Sequence, residues 1–111
     1  MAVQVSLDTT ANPPVTVSPR IHDVNRGNHT IKWERASNQT FTFTTLNGLP
    51  NPPFGTASIS DTEITIPDDN KGAVAYGYTI VVTLNSVQYS TASSRPNPTA
   101  QSNNGPVVNN K

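Results

Sequence analysis

Val74-Ala75-Tyr76-Gly77-Tyr78-Thr79-Ile80-Val81-Val82-Thr83-Leu84 carries the clearest alternation in the chain. Val74, Tyr76, Tyr78, Ile80, Val82 and Leu84 fall at every second position, with Ala75, Gly77, Thr79, Val81 and Thr83 between them. Successive side chains of a strand point to opposite faces, so a period of two is the signature of a strand with one buried side. The run is therefore expected to form a central strand over 74–84. Asn85-Ser86 separates it from Val87 and Tyr89, a spacing that suits a two-residue hairpin.

Working upstream, Asp68-Asp69-Asn70-Lys71-Gly72 has the composition of a turn, and Glu63-Ile64-Thr65-Ile66 before it alternates with both isoleucines inward. The segment from Asn47 to Gly55 is rich in Pro, Asn and Gly and reads as a loop. Phe41 and Phe43 alternate with Thr40, Thr42 and Thr44, while Ile31 and Trp33 share a face, with Trp33 as the largest core anchor. Val15 with Val17, and Val3 with Val5 and Leu7, supply two more short strands, divided by Asn12-Pro13-Pro14. Helical spacing is missing throughout. About seven or eight short strands with turns between them predict one all-β sandwich domain over residues 1–94. From residue 95 the chain turns to Pro, Asn, Ser and Gln, so 95–111 reads as a polar C-terminal tail.

Composition narrows the function. A length of 111 residues is that of one domain, and only 33% of them are hydrophobic while 13% are charged. Seven Lys and Arg balance seven Asp and Glu, which argues against disorder and against nucleic acid, whose phosphates need a basic surplus. The chain has no Cys, which removes disulfides, thiolate metal sites and cysteine nucleophiles. Neither a leader pattern nor an apolar span is evident, so no membrane association and a cytoplasmic product are expected.

Val15 to Phe43, VTVSPRIHDVNRGNHTIKWERASNQTFTF, resembles the opening half of cupredoxin-like sandwiches, in which two short strands lead to a Gly turn and a strand ending in Trp. YGYTIVV at Tyr76 to Val82 resembles the aromatic strand before a cupredoxin's copper loop. The chain is also similar to short bacterial proteins of unassigned role grouped as the DP-EP family, which look like immunoglobulin-like or cupredoxin-like sandwiches. That resemblance implies an Ig-like or cupredoxin-like topology and no particular activity. A blue-copper centre needs a Cys thiolate, two His and an axial Met. Here there is no Cys, Met1 is the only Met, and His22 and His29 both precede Trp33, so a blue-copper site is excluded.

Four further patterns carry chemistry. His22-Asp23 pairs a base with an orienting carboxylate, but neighbours on a strand face opposite ways and no G-x-S-x-G turn accompanies them, so no catalytic residues and no enzyme are expected. Asp61, Glu63, Asp68 and Asp69, with Asn70, gather oxygen ligands suited to a hard cation, though without EF-hand spacing and in ordinary turn vocabulary. No cofactor or metal is expected, and those four carboxylates are where a cation would bind. Pro50-Asn51-Pro52-Pro53 fits P-x-x-P, a shape read by proline-binding grooves and equally a rigid loop. Tyr76, Tyr78 and Tyr89 are core residues or, if exposed, a surface for stacking sugars. The expected function is a non-enzymatic structural or protein-interaction module with a protein partner or a second copy of itself. The alternative is a small-ligand binder, for a divalent cation at 61–70 or for carbohydrate through exposed Tyr.

Overall fold

The computed structural model describes residues 2–92 and 105–111, and all regular structure among them is β. The strands are β1 (Val3–Leu7), β2 (Val15–Ser18), β3 (Ile21–Val24), β4 (Gly27–Arg35), β5 (Thr42–Asn47), β6 (Ser58–Ile59), β7 (Glu63–Asn70), β8 (Val74–Gly77), β9 (Thr79–Leu84), β10 (Val87–Ser90) and β11 (Val107–Asn110). They form one five-stranded sheet, β2-β1-β4-β7-β6, and two three-stranded sheets, β10-β9-β5 and β3-β11-β8. Eleven strands exceed the seven or eight expected, because several are short and one long run is split. The class is the all-β sandwich that the alternation predicts.

The split falls inside the decisive run. Rather than one central strand, 74–77 pairs with β11 and 79–84 lies between β5 and β10, so the two halves belong to different sheets. Tyr78 sits at the division, fully buried, and its amide donates to the carbonyl of Pro106. Gly48, at φ +99, brings its turn against the same point, where a Cβ would lie 2.7 Å from the Gly77 carbonyl oxygen. Only glycine fits so close an approach. The Asn85-Ser86 hairpin is as expected, with both residues at positive φ and Leu84 opposite Val87. Along β5 the register slips between Phe43 and Thr45, a bulge at Thr44 whose hydroxyl meets that of Thr83 at 2.6 Å.

The last residues of the polar C-terminal stretch form a strand, while 95–104 lie outside the described residues. Val107–Asn110 runs parallel to β3 and antiparallel to β8, as the middle strand of its sheet. Val108 is fully buried, and Asn109 Nδ2 donates to Asp23. A segment with polar residues at two of its four positions is inserted here because long-range pairing, not local apolarity, satisfies its backbone.

Between the sheets lies one core. The five-stranded sheet contributes Val3, Val5, Ile31, Trp33, Ile64 and Ile66, and the facing sheets contribute Phe43, Ile80, Val82 and Val108. Trp33 and Tyr78 meet edge to face with ring centroids 5.3 Å apart. Trp33 Nε1 donates to Tyr78 Oη at 2.9 Å, giving a buried indole N–H its partner. Burial pushes the Tyr78 phenol up to about 12, so the ring is neutral at any physiological pH.

Two outcomes follow for stability. Tyr78→Phe leaves the indole N–H unsatisfied and is expected to lower unfolding free energy by about 1–3 kcal/mol in urea titration; an unchanged midpoint would contradict the buried bond. A chain lacking residues 105–111 exposes the edges of β3 and β8 and is expected to lose its cooperative transition, whereas a free tail would be removed without effect.

Candidate functional site: a cleft with an unsatisfied polar floor

The inner face of β4 and β7 changes character along its length. Trp33 stands opposite Ile64 and Ile31 opposite Ile66, and these pairs are buried in the core. The next pairs on the same face are His29 with Asp68 and Gly27 with Asn70. The apolar interior therefore ends in a polar floor, and above it opens a cleft of about 780 Å³. Its walls come from the 51–55 loop, from β4 and β7, and from Lys71, Gly72, Val74, Tyr76 and Asn110.

The loop that forms one wall is tied down by backbone bonds. Gly55 N donates to the Pro67 carbonyl, Asp69 N to that of Pro53, and Phe54 bridges to Asp68. Phe54 is buried and packs edge to face against Tyr76 at 5.0 Å. Pro52, Pro53 and Pro67 complete an apolar surface beside the polar floor. The P-x-x-P stretch is thus a wall of this cleft, and Pro53 is only partly exposed.

On the floor, Asp68 and Asn110 are 1% and 2% exposed. Asn110 Nδ2 donates to Asp68 Oδ1 at 3.1 Å. Asp68 Oδ2 and Asn110 Oδ1 are buried and have no hydrogen-bond partner among the described residues. Both orphans are acceptors. Their neighbour Asn70 differs, since its amide donates to the carbonyls of Val24 and Lys111 and accepts from Gly72 N, pinning the end of β7 to the ends of β3 and β11. Desolvation lifts the Asp68 carboxyl above its ordinary value, against the lowering pull of the Asn110 bond and of His29.

The acidic segment does not form the turn that its composition suggests. Residues 63–70 are one strand, so Asp68 faces inward while Glu63 and Asp69 face the other way. Glu63 pairs with Lys32 at 3.1 Å and Asp69 with Lys71 at 3.3 Å, and Asp61 is exposed in the turn before β7. The four carboxylates are not brought together, and no group of three or more His, Cys, Asp or Glu suited to a metal exists among the described residues. Asp23 is engaged by Asn109 and Lys111, and burial lowers the affinity of His22 for a proton. Of the tyrosines, Tyr78 is buried in the core, Tyr89 is half-buried on the edge strand β10, and Tyr76 alone lines the cleft. Sequence reasoning missed Asn110, His29 and Phe54 as partners of Asp68 and Tyr76. The readable signal was the inward parity that Asp68 and Asn70 share with Ile64 and Ile66.

Comparison with known protein families and with curated proteins finds no match to this chain. No helix among the described residues is long and apolar enough to cross a membrane.

A carboxyl raised on folding is held protonated more tightly by the native state than by the unfolded chain. Its contribution to stability is therefore present at low pH and is lost as pH rises from the ordinary carboxyl value of 3.8 through the higher native value. Asp68→Asn keeps the acceptor for Asn110 Nδ2 and removes the buried charge. It is expected to raise the thermal midpoint at pH 7 and to abolish this part of the pH dependence. A lower midpoint at pH 7 would show that the charge is already compensated.

Proposed function

We propose that this chain is a non-enzymatic binding module whose cleft receives a small ligand rich in hydrogen-bond donors. The observation that carries this reading is the pair of buried acceptors, Asp68 Oδ2 and Asn110 Oδ1, left without donors on the floor of a cleft. Buried polar atoms are almost always paired, and leaving one unpaired costs about 1–3 kcal/mol. Such a cost is retained where an incoming group supplies the missing bond. Apolar walls beside a few converging polar atoms are also the usual makeup of a ligand site.

The module expected from the sequence, one that presents an edge to a protein partner or to a second copy, has less support. Ile21 on edge strand β3 and Val87 on edge strand β10 are 45% and 49% exposed, but single exposed aliphatics are normal on a surface. The alternative of a divalent cation at 61–70 is not favoured by carboxylates that face apart. Sugar stacking on exposed tyrosines narrows to Tyr76. The DP-EP resemblance supplies no activity to transfer.

The test is a set of amide spectra of labelled protein titrated with small polyols and amines. Perturbations are expected at residues 28–30, 51, 54, 55, 68–72 and 110, and absent from β10. Gly72 lines the cleft and has open space where a Cβ would stand. Gly72→Phe is accordingly expected to weaken binding while leaving the unfolding free energy within about 0.5 kcal/mol of wild type. Binding that ignores Gly72→Phe, or perturbations confined to the sheet edges, would overturn the cleft as the site.

A further inference from the structure

We propose that the ligand presents a cation on an aliphatic stem: a primary ammonium or guanidinium donates to Asp68 Oδ2 and Asn110 Oδ1, and its methylenes lie along Pro52, Pro53 and Tyr76. The proposal rests on the cleft being a ligand site and goes on to name the chemistry it takes.

Three observations support a cation over a neutral donor. The floor offers two acceptors and needs two donors, which one ammonium or one edge of a guanidinium supplies together. One of the acceptors belongs to a carboxylate that is 1% exposed, and an uncompensated buried charge is among the most costly features a fold can retain. A hydroxyl would fill a lone pair and leave that charge uncompensated, whereas bonds from a charged donor are roughly twice as strong. Third, among the described residues three lysines and two arginines are directed elsewhere, and His29, opposite Asp68 on β4, is the group whose charge acts on that carboxyl. Lys32 pairs with Glu34 and Glu63, Lys71 with Asp69, and Lys111 with Asp23. Arg20 and Arg35 donate to the carbonyls of Gly105 and Phe41.

An inorganic cation fits less well. Calcium takes about six to eight oxygens and magnesium a full octahedron, while the floor presents one carboxylate oxygen and one amide oxygen. The wall is also wrong for a hydrated ion. Phe54 and Tyr76 stand edge to face, and Tyr76 lines the cleft with the prolines, which suits a methylene stem. A free alkylamine and the side chain of a Lys or Arg in a peptide share this chemistry.

Isothermal titration and amide spectra of the full chain distinguish these cases. The probes are n-butylammonium, n-butylguanidinium and Nα-acetyl-lysine methylamide, against n-butanol and methyl glucoside as uncharged controls. Charged probes are expected to bind and to perturb residues 68 and 110, with n-butanol at least about tenfold weaker. Tighter binding of the blocked lysine than of n-butylammonium assigns the cation to a peptide, and the reverse order assigns it to a free amine; either supports a cation. Asp68→Asn is expected to reduce n-butylammonium affinity by about tenfold to a hundredfold. The comparison of charged with uncharged probes uses wild-type protein alone and does not depend on the variant folding. If methyl glucoside or n-butanol perturbs the floor as strongly as n-butylammonium, or if Asp68→Asn binds the amine undiminished, the cation is overturned and the cleft stands. If no probe of either kind perturbs the cleft, both readings fall.

Discussion

The bond from Trp33 Nε1 to Tyr78 Oη joins the five-stranded sheet to the point where the chain passes between the other two. Tyr78 is the hinge of a run whose alternation would otherwise make one long strand. With its ring held against Trp33 and its amide on Pro106, the chain before it must pair with β11 and the chain after it with β5 and β10. That division sets β8 and β11 beside the end of β7, and the cleft exists because they meet there. The site is thus a consequence of how the core is anchored.

What distinguishes the cleft is that an apolar interior gives way to a polar one without a change of strand. Along β7 the inward residues run Ile64, Ile66, Asp68, Asn70. The first two are covered by the opposing sheets, and Asn70 bonds the backbone groups of Val24, Lys111 and Gly72. Asp68 is left between a structural neighbour and an open cavity, with one oxygen engaged by Asn110 and the other unengaged. A fold selected only for stability would replace such a carboxylate by an apolar or fully bonded residue. On the proposed reading, its presence gives the site a preference for donors, and for a charged donor in particular.

The parts of this arrangement that sequence could disclose were those governed by period and turn chemistry. Alternation placed Val3, Val5, Ile31, Trp33, Ile64, Ile66, Ile80 and Val82 in the core, and Asn85-Ser86 marked the hairpin. Period alone could not show that Gly77-Tyr78 divides two sheets, since parity continues across the break. Pro67-Asp68-Asp69-Asn70 has turn composition, yet its pairing with Gly27 to Thr30 holds it extended, an instance of tertiary context overriding local preference. Val107–Asn110 was hidden for the same reason: nothing local says that β3 and β8 leave a slot of its width. The floor needed both non-local pairings at once, so its chemistry was legible only as the inward parity of a single acid.

The state of the Asp68 carboxyl is the most direct measure of whether the floor is dry, charged and waiting for a donor. Carbon-detected titration of that carboxyl, with and without saturating n-butylammonium, reads it at the atom concerned. The account requires a carboxyl that titrates above 3.8 in the free protein and moves down when the amine is bound, because a bound cation favours the ionised form. An Asp68 that titrates at the ordinary value, and at the same value in both samples, would contradict it.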